Sequence, residues 1–278
     1  MKNRIISITF ILQIWHIAVV FAQTHEFSVY GGGGLSALRY QLSRGDVSGG
    51  FGGDVGAGYT YFFNRQWGVL SGVGLGFYGA KADIPYGIKT ITPGLLDRDN
   101  DPFDMHSVLG GYSETQKAMF LHIPVMAHYQ TQQEQGFYMT GGFKAGIPLR
   151  GKYSSKAEKL TNTGYYTALN NWGITQEFAG YGVFEDKSFD GSLALGVVVI
   201  LSLEAGMKWR IGNDLSLYAG AYFDYGLNNA ARNGNLPFIR YNAANASEFG
   251  ANSIPSTFAD KVNLMAVGVK LRLAFARK

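Results

Sequence analysis

The chain has 278 residues, with 38 glycines, 19 phenylalanines, 17 tyrosines, no cysteine and only 16% charged residues. Soluble globular domains carry about 25% charged residues and about 7% glycine, so an ordinary cytosolic domain is excluded. A hydrophobic content of 46% equally excludes a disordered chain. The missing cysteines rule out a disulfide scaffold, a thiolate zinc site and a cysteine-linked lipid anchor, and a scattered net charge of +4 leaves no footprint for nucleic acid.

In chain order, the first element reads as an export signal over residues 1–22. Lys2 and Arg4 precede the apolar run Ile5 to Val20, and Val20-Phe21-Ala22 forms a small-residue cleavage site, which leaves 23–278 as one mature domain. No later segment reaches the roughly 18 apolar residues that a membrane helix needs. The mature chain has period two instead. From Ser192 to Arg210, Leu193, Leu195, Val197, Val199, Leu201, Leu203, Ala205, Met207 and Trp209 alternate with a face of smaller and more polar residues. A β-strand puts alternate side chains on opposite faces, and a helix does not.

Eight such segments are predicted, at about 26–40, 46–63, 66–80, 113–130, 136–150, 192–210, 214–227 and 262–276. Tight polar turns join the second to the third, the fourth to the fifth and the sixth to the seventh. Stretches of roughly thirty to forty residues join the third to the fourth, the fifth to the sixth and the seventh to the eighth. Short turns at one end and long loops at the other predict an all-β, closed antiparallel transmembrane β-barrel of eight strands, with short periplasmic turns and long extracellular loops. Ten strands result if 151–191 holds a further hairpin. A soluble eight-stranded barrel would turn its apolar face inward. Here the polar face is glycine-rich, and the aromatics of the apolar face gather at the short-turn end: Phe27, Tyr59, Tyr61, Phe63, Trp67, Tyr129, Phe137, Trp209 and Phe275. Aromatics collected at one depth are what a membrane interface selects, so these nine are expected as a periplasmic girdle.

The run Phe120-Leu121-His122-Ile123-Pro124-Val125, then Tyr129, a polar turn and Gly136-Phe137-Tyr138-Met139-Thr140-Gly141-Gly142, resembles the outer-membrane β-barrel family common in Bacteroidota. That family includes PorT-like proteins and is broadly similar to the OmpA and OmpX barrels. The closing Val267-Gly268-Val269-Lys270-Leu271-Arg272-Leu273 fits its last strand. The resemblance implies fold and location in the outer membrane of a Gram-negative bacterium, and one form of it implies an accessory role in secretion. Pro124 removes a ladder hydrogen bond in mid-strand, for which a local bulge is expected.

With the apolar face outward, strands two and three line the lumen with glycine, and the other strands send in ionisable groups. Glu26, Asp54, His122, His128, Lys144, Arg150, Glu204, Lys208, Arg210, Asp224, Lys270 and Arg272 are the expected lumen network, six Lys and Arg against four Asp and Glu. Eight strands enclose only enough room for side chains, which implies a packed ion-pair network without an open pore. The glycine wall is expected to make space for the lysines and arginines opposite.

Chemistry has few footholds. His122 and His128 share a face but lie about 20 Å apart at 3.3 Å per residue, too far for one metal. Asp104-x-His106-Ser107 is the only crowding of acid, imidazole and hydroxyl, and would serve a lipid-modifying barrel enzyme. Asp97-x-Asp99-x-Asp101 spaces three carboxylates as calcium loops do, but Pro102 and Val108 stand where glycine and glutamate belong. Tyr165, Tyr166, Trp172, Tyr181, Phe184, Phe238 and Tyr241 make the long loops aromatic, so these either pack over the barrel mouth or meet a partner. The expectation is a non-enzymatic barrel without cofactor or bound metal, embedded in outer-membrane lipid. Its loops would bind another envelope protein or a surface glycan; a narrow passive channel is the rival reading.

Overall fold

A computed structural model describes residues 24–277 apart from 175, 233 and 235. The expected export signal lies outside the described residues. The alternating segments form eight long antiparallel strands: β1 (Thr24–Arg39), β2 (Asp46–Phe62), β3 (Trp67–Ile84), β5 (Pro102–Gln130), β6 (Gln135–Tyr166), β9 (Val198–Arg210), β10 (Leu215–Gly226) and β13 (Asn263–Arg277). Each pairs with the next, β3 passing directly to β5, β6 to β9 and β10 to β13. The β1–β13 and β5–β6 ladders close the ring. Closure leaves no open edge in the barrel, which a sheet surrounded by lipid requires.

The alternation sorts the side chains. Val29, Val55, Val69, Val73, Val125, Val199, Leu203, Val269 and Leu271 stand exposed on the outer face, while Glu26, Asp54, His122, Lys144 and Glu204 are buried inside. The tight turns are held by their own polar residues: Asn64 Oδ1 accepts from the amides of Gln66 and Trp67, at 2.8 and 2.7 Å. All nine expected girdle aromatics lie on the outer face near these turns. Phe27 is opposite both Tyr59 and Phe275, and Trp67 is opposite Tyr129, with ring centroids 4.9 Å apart. A second outward set, unforeseen from sequence, comprises Phe51, Phe77, Phe143 and Phe223. Phe27 and Leu35, the partner of Phe51, are eight residues apart on β1. At about 3.3 Å per residue and a tilt of about 40°, that is roughly 20 Å of height, close to the apolar band of an outer-membrane barrel.

Pro124 makes no bulge. The β3–β5 ladder pairs Ser71 with Val125 and Gly74 with His122 without a change of register, and merely skips the two pairs between. Ser71 Oγ donates to the Pro124 carbonyl at 2.9 Å, so the interruption costs no register. Bulges occur elsewhere, in β2 between Gly49 and Gly53, and in β6 where Met119 pairs with Arg150 but Phe120 with Pro148.

The expected loops are largely strand. β5 and β6 run 29 and 32 residues against 12–18 for the other six barrel strands, and their outer halves continue as a hairpin beyond the band. β4 (Ile88–Leu96) pairs with β5 and β8 (Gly182–Ser192) with β6, so a four-stranded sheet rises outside the membrane, with a short β7 (Asn171–Gly173) at its tip. The 151–191 stretch therefore holds further strands, but they stay out of the ring and the barrel keeps eight. The alternating run 192–210 is split as well: β8 ends at Ser192, β9 begins at Val198, and Leu195 forms an isolated bridge to Ala231. Segment 227–262, which contains β11 (Ile239–Arg240), β12 (Gly250–Ala251) and a short helix (Ile254–Phe258), packs on this sheet. Phe103, Leu109, Tyr112, Leu160, Tyr181, Phe238 and Ile254 form an apolar core there, each no more than 2% exposed.

Candidate functional site

Two places collect the polar and aromatic residues singled out by sequence: the lumen, and the extracellular head just described. In the lumen, six charges of alternating sign form a chain. Asp224 meets Lys144 at 2.7 Å, Lys144 is 3.9 Å from Asp54, and Asp54 is 2.7 Å from Lys270. Lys270 is 3.7 Å from Glu204, which meets Arg272 at 2.7 Å. Nearer the periplasm, Lys208 pairs with Glu26 at 3.3 Å. Buried charges persist when they are paired, and hydrogen bonds strengthen the pairing. Tyrosines supply the hydrogen bonds: Tyr138 donates to Glu204 at 2.9 Å, and Tyr218 donates to Glu26 at 2.8 Å. Gln130 accepts from Lys208 at 2.8 Å. These three groups were missed in the sequence, although period two places Tyr138 and Tyr218 on the inward face.

Two members of the expected network, Arg150 and Arg210, are not buried in the lumen. Arg150 is exposed on the outer face, because the extra residue Leu149 in the β6 bulge inverts the alternation beyond Pro148. A one-residue slip moves every later side chain to the other face. Arg210 is exposed at the periplasmic end of β9, lining the mouth with Glu26 and Lys208. With both gone, four cations (Lys144, Lys208, Lys270, Arg272) face four carboxylates (Glu26, Asp54, Glu204, Asp224), and the buried charge balances.

The glycine wall accommodates rings rather than cations. The Tyr30 hydroxyl lies over Gly56 and Gly74, and the His122 imidazole over Gly76, where any β-carbon would collide with it. His122 approaches Tyr78 at 3.4 Å, while His128 meets Thr140 at 3.1 Å among Phe62, Tyr138 and Tyr218. The two histidines have separate surroundings, and no group of His, Asp and Glu suited to a metal occurs among the described residues.

In the head, Tyr181 and Phe238 are core residues, and Tyr165, Tyr166, Phe184 and Tyr241 are half-buried. Trp172 remains exposed, with its ring tilted against Tyr165 at 4.6 Å and edge-on to His106 at 5.0 Å. Asp97, Asp99 and Asp101 form the β4–β5 turn. One Asp97 oxygen accepts the amides of Asp99 and Asp101, both at 2.9 Å, and the other accepts the Tyr166 hydroxyl at 2.9 Å. The first carboxylate of the calcium-like spacing is thus committed to its own turn and a tyrosine. Neither do Asp104, His106 and Ser107 assemble. Ser107 is buried and donates to Asn162 at 2.7 Å, Asp104 accepts from the Gly94 amide, and His106 faces the opposite side toward Trp172. A cleft of about 530 Å³ opens between the Asp97 turn, residues 171–173 and 176–181, and Tyr241 with residues 243–247.

Among solved structures the chain is similar to NspA, the neisserial surface protein A, with 9% identity over 91% of this chain and 98% of that one and a TM-score of 0.32. It is also similar to Ail, the attachment invasion locus protein of Yersinia pestis (11% identity, 92% and 100% covered, TM-score 0.29). OprG from Pseudomonas aeruginosa is a third (11% identity, 92% and 95% covered, TM-score 0.33). No curated protein matches the chain. Residues 21–232 match the family described as outer membrane protein beta-barrel domain, a span that takes in seven of the eight barrel strands. The chain belongs to that family of outer-membrane β-barrel proteins.

Proposed function

We propose that this barrel is non-enzymatic and that its extracellular head is its working surface, binding another envelope protein or a surface glycan. Export through a signal at residues 1–22, cleaved after Ala22, is part of this reading. The observation that carries it is the contrast within the head. It buries its own apolar core, yet leaves Leu169, Trp172, Ile174 and Phe178 exposed within ten residues, and Trp172 and Phe178 of these line the cleft. A cluster of exposed large apolar side chains beside a preformed cleft is what a recognition surface presents. The separation of Ser107 from His106 argues against the lipid-modifying alternative, since a nucleophile needs its base within hydrogen-bond reach. A PorT-like accessory role in secretion is the form of this reading that the 120–142 motif supports.

Photo-crosslinking from position 172 in intact cells tests it, with lipid-facing Val199 as the control position. A discrete adduct from position 172, lost when Phe178 is changed to Ser, is the expected result. No adduct from position 172, or the same adducts from both positions, would overturn it.

A further inference from the structure

The outer wall of the barrel changes character within one row of residues. On neighbouring strands β3, β5 and β6, the row Leu75, Leu121, Ile147 is apolar. The next outward-facing row is Phe77, Met119 and Arg150, and the one beyond it is Gly79, Lys117 and Lys152. Lys81 comes next on β3, loosely paired with Asp83 at 3.2 Å and well exposed. The change falls at the depth of the extracellular aromatic set, where acyl chains end and headgroups begin.

Three features mark this spot as built for an anion. Lys117 and Lys152 are directly opposite one another in the β5–β6 ladder, an arrangement of like charges that destabilises a sheet unless something neutralises it. Arg150 is added to them by the Leu149 bulge, which takes it out of the balanced lumen; bulges re-aim side chains in this way next to functional sites. Lys117, Lys152 and Arg150 have no ion-pair partner among the described residues. Beside them the wall is hollow: a groove of about 590 Å³ runs from Phe51 and Phe77 to Lys117, Arg150 and Lys152. Its floor at Gly79 has room for a side chain that is not there.

We propose that this groove is a binding site for a phosphorylated lipid of the outer leaflet. The phosphate would sit between Arg150, Lys117 and Lys152, where guanidinium and ammonium groups form charge-assisted hydrogen bonds, and an acyl chain would lie along Phe77, Leu121 and Ile147. The continuity of the basic cluster with the lipid-facing band selects a lipid over a soluble phosphate. A cation beside an anionic lipid surface is worth about five-fold in affinity, so removing three costs roughly a hundredfold.

The test is native mass spectrometry of the full protein in dodecyl maltoside, titrated with bis-phosphorylated lipid A or with the same lipid after enzymatic dephosphorylation. The expected result is one retained phosphorylated lipid, little retention of the dephosphorylated form, and roughly hundredfold weaker retention by the triple variant Lys117→Gln, Lys152→Gln, Arg150→Gln. Gly79→Leu fills the groove without changing charge and is expected to weaken retention as well, with circular dichroism confirming that both variants fold. Lys117→Gln supplies a readout independent of retention: relief of repulsion raises unfolding resistance in lipid-free detergent, while the benefit of adding the phosphorylated lipid falls. Equal retention of both lipids, unchanged retention in the triple variant, or displacement of the lipid by millimolar inorganic phosphate would overturn the proposal.

Discussion

Asp54 stands between two lysines, 2.7 Å from Lys270 and 3.9 Å from Lys144, and neither carboxylate oxygen has an aligned hydrogen bond. Charge alone holds it, so its neutral analogue leaves two buried cations sharing the remaining carboxylates. Breaking a buried pair from one side costs about 3–5 kcal/mol. Asp54→Asn is therefore expected to lose about 3 kcal/mol in urea unfolding from lipid vesicles. Pairing it with Lys270→Gln restores neutrality and recovers part of that loss. Unchanged stability of the single variant would show that the network carries no such weight. Arg150 shows how one residue can leave that network. Its period-two position points into the lumen, and only the bulge after Pro148 turns it out. Proline is tolerated in sheets at bulges, so Pro148 was the available signal, whereas Pro124, the more conspicuous of the two, interrupts its ladder without a bulge.

At the scale of elements, the head is clamped to the barrel extension through Glu114. This buried carboxylate accepts the Ile254 amide at 3.0 Å and Gln116 Nε2 at 2.8 Å, tying segment 227–262 to β5, and Tyr153 adds a bond to the Ala251 carbonyl at 2.6 Å. Burial pushes the Glu114 carboxyl up to about 7, against the opposing pull of the Ile254 amide, Gln116 and Tyr112. The docked state thus binds a proton more tightly than the undocked one. Its advantage is fully present below the ordinary carboxyl range near 4.5 and is lost as pH rises through about 7. Hydrogen exchange of residues 250–258 is expected to be slower at pH 5 than at pH 8 after correction for intrinsic rates, with Glu114→Gln removing the difference. Equal protection at both pH values in the unaltered protein would contradict this. The outer halves of β5 and β6 were not legible as strands. In β6 the inward positions carry Tyr153, Ser155, Ala157, Asn162 and Gly164, too mixed in polarity for period two to stand out; in β5 the alternation of Phe103, Met105 and Leu109 is short and broken by Ser107 and by the outward Val108. Within the band, where lipid imposes apolar residues on one face, predicted strand ends away from the head agree with the structure to within two residues.

For the whole molecule, lipid outside and charge balance inside set the architecture. The ring of eight strands was readable because both constraints act on every second residue. The way the head folds over the barrel was not, because it depends on contacts such as Phe238 against Tyr112 that join residues more than a hundred positions apart. The rival channel reading needs an open path, and the structure fills it: Glu26, Lys208, Tyr218 and Gln130 interlock near the periplasmic mouth, the six-charge chain spans the middle, and Tyr78, Phe120 and Tyr222 are buried toward the head. Eight-stranded barrels are wide enough for this filling and little more. Single-channel recording of the purified full protein in planar bilayers reads out that filling. A lumen closed in this way passes a current indistinguishable from protein-free bilayers in molar potassium chloride. Discrete, reproducible openings would contradict it and make the lumen, rather than the head, the working part of the molecule.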